Sequence, residues 1–353
     1  MPNGKILVAV LNWGLGHATR CIPLIQELQR YDFQPIIASD GKALAFLRNE
    51  FPDVDYYKLT AVHFSFSQQS TWNYIHLLSK AAFWNKALKK DQQLIEKIQL
   101  KESLCGIISD SRPYCYHQYV PSVYITHQLQ VKSGVFTAIA TATHRRLISL
   151  FSECWVPDKA VPYSICGKMS EWKNAKLPLR YINIQSDLKI QKTSHQYDYT
   201  GIISGAEPER SKLEQKMIAA FSGLKGKKVI IAGNKKSADR FVSTDIEIKG
   251  LASRAEVQDI INSSKTIIAR GGYSTMMDLL HLQKPALLIP TPGQTEQLYL
   301  SRHLKQLNYF DVVSQEKLSA TRILQFENNQ HKLDSIAFTG FDFSKVFGLF
   351  KGK

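Results

Sequence analysis

The chain has 353 residues, 44% of them hydrophobic, which excludes a largely disordered protein and exceeds what one hydrophobic core usually serves. Its 45 lysines and arginines exceed its 30 aspartates and glutamates, giving a formal charge of +15 that should attract anionic ligands or anionic lipid. We find no zinc-finger spacing and no aromatic RNA-binding signature, and therefore expect no nucleic-acid partner.

The sequence favours a cytoplasmic location. No apolar run approaches the roughly 18 residues that cross a bilayer. The apolar run at 6–11 follows Lys5 as in a signal peptide, but a glycine-rich loop stands where a cleavage site should be. Five cysteines without a CxxC pair suit free thiols in a reducing compartment. Peripheral attachment to the inner face of the membrane stays open. The basic residues that we consider for it are Lys86, Lys89, Lys90, Arg145 and Arg146.

Apolar runs alternate with amphipathic stretches along the first half of the chain. Residues 5–11 (KILVAVL) read as a buried strand, and residues 17–30 as a helix. The further predictions for this half, in chain order, are a strand at 35–39, a helix at 42–49, a strand at 55–59, a helix at 73–100 and strands at 106–109 and 123–126. This alternation predicts a parallel sheet covered by helices on both faces.

The same alternation restarts in the second half. The predicted elements are strands at 200–204, 228–232, 266–269 and 286–289, and helices at 209–222, 254–263, 275–282 and 296–306. The stretch between the halves lacks clear periodicity. We therefore predict a first domain at 1–178, a linker at 179–196 and a second domain at 197–332. The aromatic tail at 333–353 must pack on another part of the chain, and the first domain is the candidate surface.

A glycine-rich turn, NWGLGHATR at residues 12–20, directly follows the first predicted strand. Glycines at such a turn, here Gly14 and Gly16, let the backbone approach a ligand closely, and the N–H groups of a helix start favour anions. A purely structural turn is the alternative. The dehydrogenase fingerprint GxGxxG fails because Thr19 replaces the third glycine, although Asp40 sits where a ribose-binding acid would.

Polar residues at the ends of predicted strands are candidates for catalysis. His17 starts a helix beside the glycine turn, and an imidazole there could take a proton from a hydroxyl group. Asp110 ends one predicted strand and His127 follows another, at the edge where open parallel sheets bind ligands. Asp110 either orients His17 or serves as the base itself. Structural roles are the alternative for all three, and for Trp13 packing competes with contact to a sugar.

The second half carries a longer ordered motif, ARGGYSTMMDLLHLQKPALLIPTPGQTEQ at residues 269–297. The glycine pair at 271–272 should expose backbone N–H groups, and the following helix should aim its positive end at a diphosphate, to which Arg270 could add charge. Asp278 lies one turn deeper in that helix, where a carboxylate could accept hydrogen bonds from ribose hydroxyls. Gln297, at the next helix start, adds amide donors and an acceptor.

This motif resembles the carboxy-terminal nucleotide-sugar motif of GT-B glycosyltransferases, and most closely that of the peptidoglycan N-acetylglucosaminyltransferase type, family twenty-eight. The loop GLGH at 14–17 is similar to the glycine-rich GGH loop of the same family. The resemblance implies an α/β protein of GT-B architecture, with two Rossmann-like domains whose parallel sheets face each other across a cleft. It also implies that the second domain binds a nucleoside-diphosphate sugar, and the first domain a glycan or glycolipid acceptor.

Motif and resemblance together give a predicted site. The donor-binding residues are Gly14, Gly16, Gly205, Arg210, Arg270, Gly271, Gly272, Ser274, Thr275, Asp278, Glu296 and Gln297. Asp278 takes the place of a ribose-binding glutamate, and its shorter side chain leaves the nucleotide open, with a UDP-sugar favoured. The catalytic residues are His17 and Asp110, and the acceptor-binding residues are His127 and Trp13.

The predicted chemistry is direct displacement at the anomeric carbon with inversion, without a metal or a cofactor. The tripeptide at 53–55 is formally the manganese-binding pattern DxD, but it lies at the amino end of a predicted strand, away from the ligand edge. Two alternatives remain. One is a non-hydrolysing nucleotide-sugar epimerase, which needs more acidic residues around the sugar. The other is a non-catalytic protein that binds nucleotide sugars or glycolipids.

Overall fold

The computed structural model describes residues 3–61, 81–132, 134–233, 239–330, 333 and 341–351. Residues 73–80 of the predicted long helix, and 334–340 of the predicted tail, lie outside this part, as does the side chain of Lys86. The chain divides into two compact units. The first comprises Met1–Asp187 with Gly340–Lys353, and the second comprises Leu188–Thr339.

The first unit is built on a seven-stranded parallel sheet. Its strands are β1 (Lys5–Val10), β2 (Gln34–Ser39), β3 (Tyr56–Lys58), β4 (Gly106–Asp110), β5 (Ser122–Ile125), β6 (Glu153–Val156) and β7 (Leu179–Tyr181), in the spatial order β3-β2-β1-β4-β5-β6-β7. The main helices of the first 187 residues are α1 (Gly16–Arg30), α2 (Gly41–Glu50), α3 (Ala81–Glu102) and α4 (Thr137–Ile148). Strand β1 is buried along nearly its whole length, as a central parallel strand must be.

The described part of the aromatic tail packs on this first sheet. Phe343, Phe347 and Phe350 join the core that contains β1 and α1. The ring of Phe347 lies edge-on to Phe33, with centroids 5.9 Å apart. A side chain at Gly106 would lie 2.2 Å from the Phe350 ring, so the first residue of β4 has to be glycine for the tail to dock.

The second unit repeats the design with a sheet of seven strands. They are β8 (Tyr197–Ile202), β9 (Lys228–Ile231), β10 (Arg240–Ser243), β11 (Ile246–Lys249), β12 (Ser264–Arg270), β13 (Ala286–Ile289) and β14 (Asp311–Val312), in the order β10-β11-β9-β8-β12-β13-β14. Only β10 pairs antiparallel within this sheet. The helices are α5 (Glu209–Ser222), α6 (Arg254–Asn262), α7 (Tyr273–His281), α8 (Thr295–Gln306) and α9 (Ala320–Asn328). The tail then adds a short α10 (Ser344–Phe347) to the first unit.

Several elements were not predicted from the sequence: strands β6 and β14, helices α4, α9 and α10, and the β10–β11 hairpin. Strand β7 occupies residues that the sequence places in the linker. Strands β7 and β10 are short, and β10 is exposed along its whole length, so neither of these two strands carries a periodic apolar signal. None of the helices that the structure describes is long and apolar enough to cross a membrane.

Candidate functional site

The end of β4 brings one carboxylate against two basic side chains of α1. Asp110, the last residue of β4, is fully buried. His17 Nδ1 lies 2.8 Å from Asp110 Oδ1, Arg20 Nε donates to Asp110 Oδ2 at 2.5 Å, and Arg20 Nη2 donates to Oδ1. His17 and Arg20 reach the same carboxylate because residues three apart share one face of a helix. The two candidate bases of the sequence are therefore in direct contact.

These contacts set the charges of the cluster. Burial acts to raise the pKa of Asp110, but the charges and hydrogen bonds of Arg20 and His17 outweigh it and hold that pKa well below its usual range. Burial, together with the Arg20 charge, lowers the pKa of His17. Burial also raises the pKa of Cys21, so its thiol stays protonated and donates to Asp110 Oδ2 at 3.3 Å. At neutral pH the cluster holds an ionised carboxylate, a guanidinium and a neutral imidazole.

Two more histidines lie beside this cluster. His127 follows β5, is almost completely buried, and places Nδ1 3.5 Å from Arg20 Nη1. His144 on α4 packs edge-on against Tyr124 of β5, with ring centroids 5.7 Å apart. Burial, with the charges of His127 and Arg145, lowers the pKa of His144 to about 4. His144 therefore stays neutral at neutral pH, packed against Tyr124.

The loop between β1 and α1 is open on the side of Trp13 and Gly14. Trp13 is 39% exposed. Gly14 has a φ of 74°, and a Cβ placed there would meet nothing within 4 Å. Gly16 opens α1 directly before His17. The structure thus groups Trp13, Gly14 and Gly16 with the candidate base in the first unit.

A second buried ion cluster anchors the same loop. Arg112 is almost fully buried; it donates to Asp40 Oδ1 at 2.7 Å and to Asp91 Oδ2 at 2.9 Å. Asn12 donates to Asp40 Oδ2 at 3.1 Å and accepts from the Ala43 amide at 3.1 Å. Asp40 is consequently part of the scaffold rather than a ribose-binding acid. This removes the residue that favoured a dehydrogenase.

In the second unit, the loops that follow β8, β12 and β13 meet. A Cβ at Gly272, after β12, would lie 3.8 Å from Ser204 Oγ, after β8. A Cβ at Gly205 would lie 3.9 Å from Thr291 Oγ1, after β13. Gly205 has a φ of 103°, a conformation that side chains rarely adopt, so this turn requires glycine. Residues from all three loops of the predicted donor site are therefore neighbours at one edge of the sheet.

The two glycines after β12 differ from expectation. Gly271 N–H donates to the Ile289 carbonyl at 3.1 Å, and Gly272 N–H to the Arg270 carbonyl at 2.8 Å, so neither group is exposed as predicted. A Cβ at Gly271 would lie 2.9 Å from Ser301 Oγ, which makes this glycine a packing requirement. The N–H groups of Ser274 and Thr275, in the first turn of α7, have no acceptor within the helix, and Gly272 gives that turn no side-chain cap.

The two arginines predicted at the donor site are turned into the fold. Arg270 is fully buried, and its Nη2 donates to the Glu209 carbonyl at 3.0 Å and to Gln315 Oε1 at 2.7 Å. Burial lowers its pKa to about 10, so it remains charged at neutral pH. Arg210 donates to the Ala232 carbonyl at 3.1 Å and to Glu207. Both guanidinium groups therefore donate to backbone carbonyls of the second unit, that of Ala232 for Arg210 and that of Glu209 for Arg270.

Asp278 meets an arginine that the sequence did not single out. Arg254, the first residue of α6, donates from Nη1 to Asp278 Oδ2 at 3.0 Å and from Nη2 to Oδ1 at 3.2 Å. The Asp278 side chain is 12% exposed and the Arg254 side chain 13%. The carboxylate that we predicted for ribose is therefore held by a two-pronged ion pair from the neighbouring helix.

The start of α8 supplies the last predicted residues. Gln297 is almost buried, and its Oε1 accepts from the Thr291 amide at 2.8 Å, which fixes the loop after β13. Glu296 lies in the first turn of α8 and is half-buried. Sequence reasoning missed Arg20, Arg112 and Arg254. Only Arg20 had a usable signal, its three-residue spacing from His17.

Comparisons with known proteins bear on the fold and on the class of enzyme. Residues 211–330 match the model of glycosyl transferase family 1. The chain is 23% identical over 330 residues to an uncharacterized glycosyltransferase of Methanopyrus kandleri, an alignment that covers 85% of this chain and 89% of that protein.

Solved structures show the same fold. The glycosyltransferase of kitacinnamycin superposes with a TM-score of 0.67 at 12% identity, covering 93% of this chain and 92% of its own. The spinosyn rhamnosyltransferase SpnG, solved with thymidine diphosphate, gives 0.60 at 12% identity and covers 92% of both chains. The predicted GT-B fold is confirmed, and the predicted enzyme class, glycosyltransferase, is confirmed by the family match and the relatives.

Proposed function

We propose that the chain is an inverting glycosyltransferase that moves a sugar from a nucleoside diphosphate, with UDP favoured, to a hydroxyl of a glycan or glycolipid. The observation that carries this proposal is the contact of His17 with Asp110 at 2.8 Å, at the carboxyl edge of the first sheet. A histidine held in this way by a buried carboxylate is built to accept a proton.

In this proposal His17 is the base and Asp110 orients it. We assign the proton of the neutral imidazole to Nδ1, which then donates to the ionised Asp110 and leaves Nε2 able to take a proton. In this tautomer Arg20 Nη2, which lies 2.8 Å from Nδ1, donates to Asp110 and not to the ring. Asp110 itself is fully buried and gripped by Arg20, so it cannot reach an acceptor. The acceptor oxygen attacks the anomeric carbon as its proton passes to His17. The bond from that carbon to the diphosphate breaks, and its electron pair leaves on the diphosphate.

The second unit is proposed to hold the leaving diphosphate. The uncapped first turn of α7, with Ser274 and Thr275, offers N–H groups and the positive end of the helix dipole. In this proposal Arg270 and Arg210 hold the surrounding loops in place and do not bind phosphate, because their guanidinium groups donate hydrogen bonds to backbone carbonyls within the unit. Gly14, Gly16 and the acceptor-binding roles of His127 and Trp13 stay predictions.

We propose that the reaction needs no metal ion. Asp53 and Asp55 precede β3 at its amino end, whereas His17 and Asp110 lie at the carboxyl edge of the same parallel sheet. The DxD tripeptide is thus on the opposite edge from the candidate base. Charge that develops on the diphosphate is met by the α7 N–H groups instead.

An anionic membrane surface is the proposed partner for α4. Ile139, Ala142 and Arg146 lie on one exposed face of this helix, and Ile139 is 69% exposed. Val135, in the turn before the helix, is 88% exposed. An apolar face with a basic residue, in a chain of charge +15, suits an anionic bilayer that carries a glycolipid acceptor. The finer assignment to the peptidoglycan N-acetylglucosaminyltransferase type rests on motif resemblance alone.

A donor screen tests the proposal. The purified chain is incubated with UDP- and TDP-sugars, alone and with candidate acceptors, and nucleoside diphosphate release and product configuration are measured. We expect release that depends on an acceptor and a product of inverted anomeric configuration. A new sugar isomer formed from donor alone would instead indicate an epimerase. Binding without any release across acceptors would indicate a non-catalytic protein.

A further inference from the structure

We propose that Arg254 is a specificity-determining residue of the donor site, which holds Asp278 so that the site selects ribonucleoside over deoxyribonucleoside diphosphates. The inference rests on the proposed function, because it assumes that α7 binds a nucleotide donor. It assigns a role to a residue that no motif in the sequence marks.

The geometry shows that Arg254 is firmly placed. Ser253 caps α6: its hydroxyl accepts from the Glu256 amide at 3.2 Å, and Glu256 Oε2 accepts from the Ser253 amide at 2.8 Å. This capping box fixes the backbone of Arg254, the next residue. From there the guanidinium reaches 24 residues along the chain to grip both oxygens of Asp278. The pair joins the start of α6 to the second turn of α7.

The grip determines what Asp278 can do. The terminal torsion of an aspartate is broad, so an unsupported carboxylate turns easily. A bidentate arginine fixes the plane of the carboxylate, and a carboxylate can accept up to about four hydrogen bonds, more than the two that Arg254 supplies. Because the Asp278 side chain is only 12% exposed, a bound nucleotide that covers it would exclude most of its water.

Selectivity follows from that exclusion. A ribose hydroxyl would replace the lost water as a donor to the carboxylate, whereas a deoxyribose that lacks this hydroxyl would leave the hydrogen bond to water unreplaced. Sites built to bind a hydroxyl discriminate strongly against ligands that lack it, for this reason. Arg254 thus holds the short side chain of Asp278 in the orientation that accepts a hydrogen bond from the ribose.

The test measures binding of UDP, 2′-deoxy-UDP and 3′-deoxy-UDP by calorimetry. The wild-type chain should bind UDP about ten- to a hundredfold more tightly than at least one deoxy analogue. Arg254→Ala should bring that ratio to within about threefold, as should Asp278→Ala. Arg254→Lys should fall between, since an ammonium group cannot form the two parallel bonds. Arg240→Ala, which removes another arginine–carboxylate pair of the same unit, should keep the wild-type ratio.

Each contrary result has a distinct meaning. An unchanged ratio in a folded Arg254→Ala protein, with the ratio lost in Asp278→Ala, would reduce Arg254 to a structural clamp and overturn the inference. Equal binding of all three ligands by the wild-type chain would also overturn it while leaving the proposed function standing. Failure of the wild-type chain to bind UDP and TDP at all would overturn both. Thermal unfolding of each variant, with Arg254→Lys as the conservative check, separates misfolding from a loss of selectivity.

Discussion

Each unit of the chain holds one aspartate against an arginine at its candidate site, and the two pairs differ in exposure. In the first unit, Asp110 is fully buried between Arg20 and His17. In the second, Asp278 is 12% exposed and faces Arg254. The arginine–carboxylate chemistry is the same in both pairs, so the difference in their surroundings decides what each can do.

Burial limits Asp110 to acting through another residue. A carboxylate without solvent contact cannot meet a substrate, but in a low-dielectric site it interacts strongly with the adjacent imidazole. Asp278 keeps contact with solvent and can meet a ligand directly. One pair orients a base, and the other presents a carboxylate to a ligand. The predictions below test whether this division is correct.

The largest expected effect is on turnover. His17→Ala should lower kcat by about 10²–10⁴, the usual range for loss of a general base, because Asp110, the other candidate base, is fully buried. His17→Asn keeps a hydrogen bond without basicity and should fare little better. Steady-state kinetics with donor and acceptor varied give kcat and KM for each variant.

Donor affinity is the control for His17. It should barely change in either variant, because the proposed diphosphate site lies in the second unit. Near-normal turnover in both variants would reassign His17 to positioning the acceptor. Loss of donor binding would place the glycine loop at the phosphate.

The next effect is on stability, and it contrasts the two aspartates. Asp110→Asn leaves the Arg20 guanidinium buried without a counter-charge, which should cost about 3–5 kcal/mol in the free energy of unfolding. Asp278→Asn removes a partner that keeps a little solvent contact and should cost less, about 1–3 kcal/mol. Urea unfolding of both variants measures the difference. Equal losses would contradict the division between a buried and an accessible pair.

The same contrast has a pH signature. The folded pKa of Asp110 lies below its ordinary value of about 3.9, so its contribution is complete above that pH and is lost as the pH falls toward the folded pKa. Wild-type stability should therefore drop below about pH 4, and Asp110→Asn should remove that part of the drop.

Much of the fold followed from the sequence, because buried parallel strands such as β1 and β13 are nearly continuous apolar runs between amphipathic helices. Strand β7 was not predicted because three residues are too few to show an alternating apolar pattern, and because its pairing with β6 is a tertiary contact. The hairpin strand β10 escaped because all its side chains are exposed.

The site was predicted only as far as motifs reach. His17, Asp110 and Asp278 belong to recognisable motifs. The sequence does not indicate that Arg20 pairs with Asp110, 90 residues away, or that Arg254 pairs with Asp278, 24 residues away. Arg270 shows the reverse limit. Its place beside the glycines suggested phosphate, and nothing in the sequence indicates that its side chain turns inward toward Gln315.

The pH dependence of turnover sharpens the role of His17. A base works only when deprotonated, so kcat/KM should be level at neutral pH and fall about tenfold per pH unit below the pKa of His17. Because burial and Arg20 lower that pKa, the midpoint should lie below the ordinary value of about 6.5. A pH–rate profile, with tryptophan fluorescence confirming the folded state, measures it. A midpoint above about 6.5 would mean that Asp110 raises the pKa of His17 by more than burial and Arg20 lower it.

The smallest effect concerns the exposed face of α4. Arg146→Gln should weaken binding to vesicles of anionic lipid about fivefold, since one basic residue near such a surface contributes about 1 kcal/mol. Lys225→Gln, which removes the same charge from an exposed position of the second unit, should have little effect. Salt should abolish the Arg146 effect, because it screens surface charge.

Ile139→Ser should weaken binding at low and high salt alike, because it removes apolar contact rather than charge. Co-sedimentation at two salt concentrations distinguishes these outcomes. Equal binding of the wild-type chain to neutral and anionic vesicles at low salt would remove the membrane from the proposal and favour a soluble acceptor.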